Sequence, residues 1–140
     1  MKEIDFIRQY LLLQKMRFEN RLTFYIDTDF IADNAVIPKL LIQPLVENCI
    51  VHAMENNPHI LHICVTAYTY FIKPFGNCIT ITVYDNGSGF NVEELNHHVG
   101  LKNVQERLEL FNPNSFFEIR SIPGKYTACN IIFFPEDNKM

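Results

Sequence analysis

Three short clusters in this chain carry groups able to do chemistry. The first is Asp85-Asn86-Gly87-Ser88-Gly89-Phe90, which follows the alternating stretch Ile79-Thr80-Ile81-Thr82-Val83-Tyr84. Side chains of a strand point alternately to its two faces, so Asp85 falls on the face of Ile79, Ile81 and Val83. That face is apolar and is expected to be buried. A buried carboxylate is costly unless it is paired or hydrogen-bonded. Either the turn that follows satisfies Asp85, or a ligand does. Taken alone, Asn-Gly between apolar strands reads as a hairpin in which Asp85 bonds its own turn backbone.

The second cluster is Gln43-Pro44-Leu45-Val46-Glu47-Asn48-Cys49-Ile50-Val51-His52. On a helix, Asn48 and His52 are neighbours four positions apart, with Glu47 beside them. The rest of the segment is almost wholly apolar, so packing does not explain an adjacent Glu and Asn. They lie either on a partly solvated edge or at a hard-cation site. Mg²⁺ prefers oxygen ligands, and an Asn carbonyl with phosphate oxygens and waters fits it. The third cluster is His98-Val99-Gly100-Leu101-Lys102-Asn103-Val104, where a glycine opens a helix after a flexible connector. Helix N-termini offer free N–H groups and partial positive charge to anions, and Lys102 adds a mobile cation. The plain alternative is an ordinary helix start with a surface lysine.

The elements that must position these groups follow from periodicity. Residues 3 to 19 read as a helix, with Ile4, Ile7, Leu11 and Phe18 near one stripe and Tyr10, Leu12, Leu13 and Met16 widening it. Arg21 to Asp27 reads as a first strand and Asp33 to Pro38 as a connection. A second helix is expected from Pro38, which suits a first turn, to about Met54, with Pro44 as a kink or break. Asn56-Asn57-Pro58 ends it. Ile60 to Phe71 and Cys78 to Tyr84 read as strands around a turn near Lys73-Pro74-Phe75-Gly76-Asn77. Phe90 to Val99 is a polar connector, and Gly100 to Phe111 has helical spacing. Phe116 to Ile122 and Thr127 to Phe134 close the chain as strands around Pro123-Gly124. The expected fold is a two-layer α/β sandwich with a mixed, mainly antiparallel sheet.

A length of 140 residues fits one domain with a real core, and 48% hydrophobic residues argue against disorder. The net charge of -4, without a Lys/Arg run, argues against a nucleic-acid partner or an anionic membrane surface. It leaves a nucleotide open, since that needs only a local cluster of donors. Cys49, Cys64, Cys78 and Cys129 form no C-x-x-C pair and sit in apolar patterns, so they read as buried reduced thiols of a cytoplasmic protein. Lys2, Glu3 and Asp5 interrupt any signal-peptide pattern at the start, and no apolar run approaches the about 18 residues of a membrane span.

Together the clusters resemble the GHKL ATP-binding superfamily. Glu47-Asn48 resembles its N box, Asp85-Asn86-Gly87-Ser88-Gly89 its first glycine box, Val99-Gly100-Leu101 its second, and Gly124 with Thr127 its last motif. Their order and spacing match as well. Within the superfamily, Gln14-Lys15-Met16-Arg17-Phe18, Gln43-Pro44-Leu45-Val46-Glu47-Asn48 and Leu101-Lys102-Asn103-Val104-Gln105-Glu106-Arg107-Leu108 resemble the LytS-type sensor histidine kinases. The resemblance covers nearly the whole chain.

It implies a protein histidine kinase catalytic domain with ATP and Mg²⁺ as cofactors. Asp85 would accept a hydrogen bond from the adenine amino group, with Gly87 and Gly89 letting the backbone approach the base. Asn48 would hold Mg²⁺, and Glu47 would orient water around it. Gly100, Leu101 and Lys102 would cradle phosphates, His52 would stand beside them, and Thr127 would close the adenine end. The reaction would move the γ-phosphoryl group of ATP to a histidine, mostly by positioning and charge neutralisation. None of His52, His59, His62, His97 and His98 sits in a phosphoacceptor context, so the acceptor is expected outside this chain. Residues 1–20 would then be a linker helix from a dimerisation and phosphoacceptor region, and residues 21–140 the ATP-binding domain. The implied partners are the upstream phosphoacceptor helices and a response regulator, in a full-length homodimer. The fragment itself could be monomeric. The implied location is the cytoplasmic side of a membrane-anchored bacterial kinase. Val51 stands where the family usually has a lysine, His98 and Tyr126 where it often has glycines, and only ten residues, 90 to 99, separate Gly89 from Gly100. These departures support the alternative of a degenerate, non-catalytic interaction module. A different superfamily ATPase or serine kinase is the third reading.

Overall fold

The apolar stripe of the first helix folds as its spacing requires. The computed structural model describes residues 2–37, 40–53, 59–93 and 99–134. Helix α1 (Lys2–Phe18) buries Ile4, Ile7 and Leu11 against the same core that the sheet supplies. The sheet has five strands: β1 (Leu22–Thr28), β2 (Leu61–Ile72), β3 (Gly76–Asp85), β4 (Phe116–Ile122) and β5 (Tyr126–Phe133). Their spatial order is β1-β2-β3-β5-β4. β1 runs parallel to β2, and every other neighbouring pair is antiparallel. This is the mixed, mainly antiparallel sheet expected from the sequence. A parallel pair needs a crossover connection. Here it carries α2 (Phe30–Asp33) and α3 (Gln43–Asn48), the latter continued by a wider π turn over Cys49–Ala53. Helix α4 (Val99–Phe111) joins β3 to β4.

Strand alternation decides which face the helices cover. Leu61, Ile63, Val65 and Ala67 of β2, Ile79, Ile81 and Val83 of β3, and Cys129, Ile131 and Phe133 of β5 are buried. They join Leu45 and Val46 of α3 and Leu101, Val104 and Leu108 of α4 in one core. Burying each such Leu, Ile or Val side chain stabilises the fold by about 1.5–3 kcal/mol relative to exposure. The opposite sheet face carries Tyr25, Tyr70 and Tyr84, which are exposed.

Two local expectations need correction. The stretch before the expected connection holds a helical turn, because Asp29 caps α2. Its Oδ1 accepts the Ala32 N–H at 2.7 Å, and its carboxylate also accepts the Thr69 N–H at 2.6 Å. Pro44 is neither a kink nor a break. It lies in the first turn of α3, where a missing N–H costs nothing. The helix starts there because Glu3 of α1 caps it: the Glu3 carboxylate accepts N–H groups from Leu41, Ile42 and Gln43. The expectations for Pro38, Met54, Asn56-Asn57-Pro58, His97 and His98 lie outside the described residues.

Candidate functional site

Strand register builds the site. Ile63, Asp85, Thr127 and Ser121 lie directly opposite one another on β2, β3, β5 and β4. Neighbouring strands are about 4.8 Å apart, so the last three form a continuous polar row. The row lies on the helix-covered face, where Asp85 is 2% and Thr127 5% exposed. Asp85 therefore points inward, as its parity with Ile81 and Val83 requires.

One backbone donor already meets the Asp85 carboxylate: its Oδ1 accepts the Gly87 N–H at 2.8 Å. The Cys49 thiol, just past α3, lies beside the carboxylate, and its Sγ is also 3.2 Å from Leu45 O, so its single proton serves one or the other. Burial pushes the Asp85 carboxyl above the usual carboxylate range, and these neighbours only partly offset it. The same contact acts on the thiols. Burial first, then the nearby Asp85 charge, pushes Cys49 well above its ordinary value and Cys129 up to about 12. Both stay protonated, and all four cysteines are free. The sequence reading of buried reduced thiols thus fits Cys49, Cys78 and Cys129, while Cys64 is half-buried. Cys49 is more than a small hydrophobe, because it touches the key carboxylate.

The hairpin part of the Asn86-Gly87 reading fails, while its other part holds, since Asp85 does bond its own turn through Gly87 N–H. β3 pairs with β2 and β5, and the chain does not fold back after Asp85. Asn86 instead extends the pairing with β2: its Oδ1 accepts the His62 N–H at 2.6 Å, and its Nδ2 donates to Ile60 O at 3.2 Å. The glycine segment is then fixed to the β4–β5 turn. Gly124 N–H donates to Ser88 O, and Phe90 N–H donates to Ser121 Oγ at 2.8 Å. Gly89 has φ +62°, and a Cβ there would lie 2.2 Å from Ile122 O. Only glycine fits that approach.

Glu47 and Asn48 are half-buried at the end of α3. Gln43 Nε2 donates to Glu47 Oε1 at 2.8 Å and orients the carboxylate. Glu47 also lies near Tyr10 of α1, whose phenol is pushed up by burial and by the Glu47 charge. His52 has its backbone in the π turn, and Val51 beside it is 61% exposed. Gly100 lies in the first turn of α4, which packs against α3. The Leu101 side chain is buried in the core, so it offers a ligand only its backbone; Lys102 is exposed. The register and the Cys49 contact thus bring Asp85, Thr127, Gly87, Gly89 and the end of α3 together.

Sequence reasoning missed Glu3, Cys49 and Ser121. Ser121 had a usable signal, since it shares strand parity with the inward Phe117 and Ile119 of β4. Asn48 and Glu47 supply hard oxygen donors of the kind Mg²⁺ takes. Among the described residues no three His, Cys, Asp or Glu side chains converge as a metal cluster. A cation held at Asn48 would therefore draw further ligands from phosphate and water.

No family profile matches the chain. It is 38% identical over 113 residues to the sensor histidine kinase YesM of Bacillus subtilis, covering 78% of this chain and 19% of that protein. It is 34% identical over 104 residues to the sensor histidine kinase/phosphatase LytS of Staphylococcus aureus, covering 74% and 17%. The chain thus spans under a quarter of the length of either relative. Its fold matches the catalytic domain of histidine kinase ThkA in a nucleotide-free form, with a TM-score of 0.62 at 15% identity, covering 97% of this chain and 93% of that one.

Proposed function

This chain belongs with the catalytic regions of sensor histidine kinases, and from that premise we propose that it binds ATP with Mg²⁺ for phosphoryl transfer to a histidine outside residues 1–140. The observation that carries the proposal is the Asp85 carboxylate, buried in register with Thr127 at the end of β3. Burial disfavours its charge, so it gains from one more donor, and an adenine amino group is such a donor.

ATP with Mg²⁺ supplies the transferable phosphoryl group and a counter-charge for it. The chain's own residues do the rest. Asp85 accepts from the base, held in place by Gly87 N–H. Thr127 borders the base on the next strand. Gly89 lets the backbone pass close to Ile122, which sets the path of the segment after the base site. Asn48 offers its side-chain oxygen to the cation, and Glu47, steadied by Gln43, orients water. Gly100 and Leu101 offer backbone N–H groups to phosphate, while Lys102 adds local charge. Positioning and charge neutralisation are what such a transfer requires of a protein.

The acceptor histidine belongs to helices that precede residue 1 in the longer kinase. Residues 1–20 lead from those helices into the ATP-binding domain of residues 21–140, and α1 packs on that domain's core through Ile4, Ile7 and Leu11. His62 does not suit the acceptor role, because its neighbours Leu61 and Ile63 point into the core and its ring bonds Thr23 on the other sheet face. The full protein acts as a membrane-anchored homodimer that passes its phosphoryl group to a response regulator. Among the described residues no helix is long and apolar enough to cross a membrane.

The test is phosphotransfer. The chain is extended with its upstream helices and given γ-labelled ATP with Mg²⁺. Acid-labile label on the upstream histidine, lost in Asp85→Asn, is the expected result. Tight nucleotide binding without transfer to any histidine would favour the non-catalytic module instead, a reading that the exposed Val51 supports.

A further inference from the structure

Beside the base-binding carboxylate, the hydrogen-bond network leaves one proton to assign. Ser121 Oγ accepts the Phe90 N–H at 2.8 Å and donates to Tyr126 O at 2.9 Å. A hydroxyl has a single proton, and a carbonyl oxygen can only accept. The third partner of Ser121, Thr127 Oγ1 at 2.8 Å, must then be the donor of that bond. Ser121 is thereby fully used, with one bond donated and two accepted.

The consequence falls on Thr127, which sits between Ser121 and Asp85 in the cross-strand row. Its proton is directed toward β4. What remains on the Asp85 side is acceptor capacity only. Asp85, when ionised, is also acceptor-only. The two inward groups at this end of the sheet then ask the same thing of a ligand edge: a donor.

We propose that Ser121 is a positioning residue for base selection. By taking the Thr127 proton it keeps Thr127 an acceptor toward the base, so the row favours a purine with a 6-amino donor over one whose 6-substituent can only accept. The inference rests on the nucleotide-binding reading above and adds a residue to it. Without Ser121, Thr127 is able to turn its proton toward the base and receive an acceptor at that position. The same hydroxyl holds the Phe90 backbone just past Gly89, so its loss also loosens that amide.

The test compares ATP with 6-methoxypurine riboside triphosphate, which carries an acceptor oxygen in place of the 6-amino group and keeps N1 an acceptor; inosine triphosphate is avoided because its N1–H is itself a donor. Calorimetry with Mg²⁺ gives both affinities for the wild type, Ser121→Ala, Ser121→Thr and Thr127→Val. Ser121→Ala should reduce the preference for ATP by about fivefold, the size expected of one neutral hydrogen bond. Ser121→Thr, which keeps the hydroxyl, should restore it. In the Thr127→Val background, Ser121→Ala should leave the ratio where it is. Amide exchange at Phe90, measured without nucleotide, should speed up in Ser121→Ala and not in Thr127→Val. If Ser121→Ala does not fold, Ser121→Cys removes the good acceptor at similar volume and carries the same comparison. Equal weakening of both nucleotides, with the ratio unchanged, would overturn the role of Ser121 while leaving nucleotide binding intact. A wild-type protein that binds neither nucleotide would overturn the underlying reading as well.

Discussion

Replacing Glu3 by alanine should weaken the fold at the helix that carries Asn48. The Glu3 carboxylate, on α1, accepts N–H groups from Leu41 at 3.3 Å, from Ile42, and from Gln43 at 3.1 Å. Leu41 and Ile42 are fully buried, so water cannot easily replace the carboxylate. Helix α3 has only six residues and could not persist alone in water. A buried donor left without its acceptor costs about 1–3 kcal/mol, and a charged acceptor at a helix start adds about 0.3–1 kcal/mol. The bonds share one side chain and are not additive, so Glu3→Ala should cost about 3 kcal/mol in total. Glu3→Gln keeps an acceptor oxygen and loses the charge, so its cost should be about 1 kcal/mol. Urea unfolding followed by circular dichroism reads both, provided the slope with denaturant is unchanged. Mg²⁺-ATP affinity should fall in the same order, because Asn48 and Cys49 end the helix that Glu3 starts. A Glu3→Ala protein within about 0.5 kcal/mol of the wild type would refute the capping argument. So would a Glu3→Gln protein as unstable as Glu3→Ala.

Two glycines with positive φ should respond differently to alanine. At Gly89 a Cβ meets backbone oxygen at 2.2 Å, so Gly89→Ala should cost well over about 2 kcal/mol and displace the segment beside the base site; at Gly124 nothing lies within 4 Å, and Gly124→Ala should cost only about 1–2 kcal/mol for its backbone angle. Thermal or urea unfolding of the pair would show similar losses if the close approach were absent. Asp85→Asn should raise the stability of the nucleotide-free protein at neutral pH. Burial raises the folded-state pKa of Asp85, so its favourable contribution is complete below the ordinary carboxylate value and fades as pH rises through the raised one. The gain from Asn should therefore appear above that range and vanish in acid; a constant difference at all pH values would contradict the assignment.

Much of this arrangement was legible in the sequence because it depends on local periods. Strand parity alone placed Asp85 on the face of Ile81 and Val83, and the 3.6-residue period of Leu101, Val104 and Leu108 placed α4 on the core. What was not legible came from contacts distant in the chain. Asn86-Gly87 has hairpin chemistry, yet β3 finds its partners in β2 and in β5, and Asn86 bonds His62 and Ile60 instead. Pro44 read as a break because the cap that starts α3 comes from Glu3, about forty positions earlier. Cys49 read as filler because its contact with Asp85 joins a helix to a strand across the core. The cap at Asp29 was within reach, since an Asp before Phe30-Ile31-Ala32 is an ordinary helix-start signal.

The most direct measurement is calorimetric titration of Mg²⁺-ATP into the wild-type chain and into Asp85→Asn. The account predicts saturable binding by the wild type and its loss in Asp85→Asn, in a protein that unfolds no earlier than the wild type. Equal binding by both proteins, or none by the wild type at millimolar nucleotide, would contradict it.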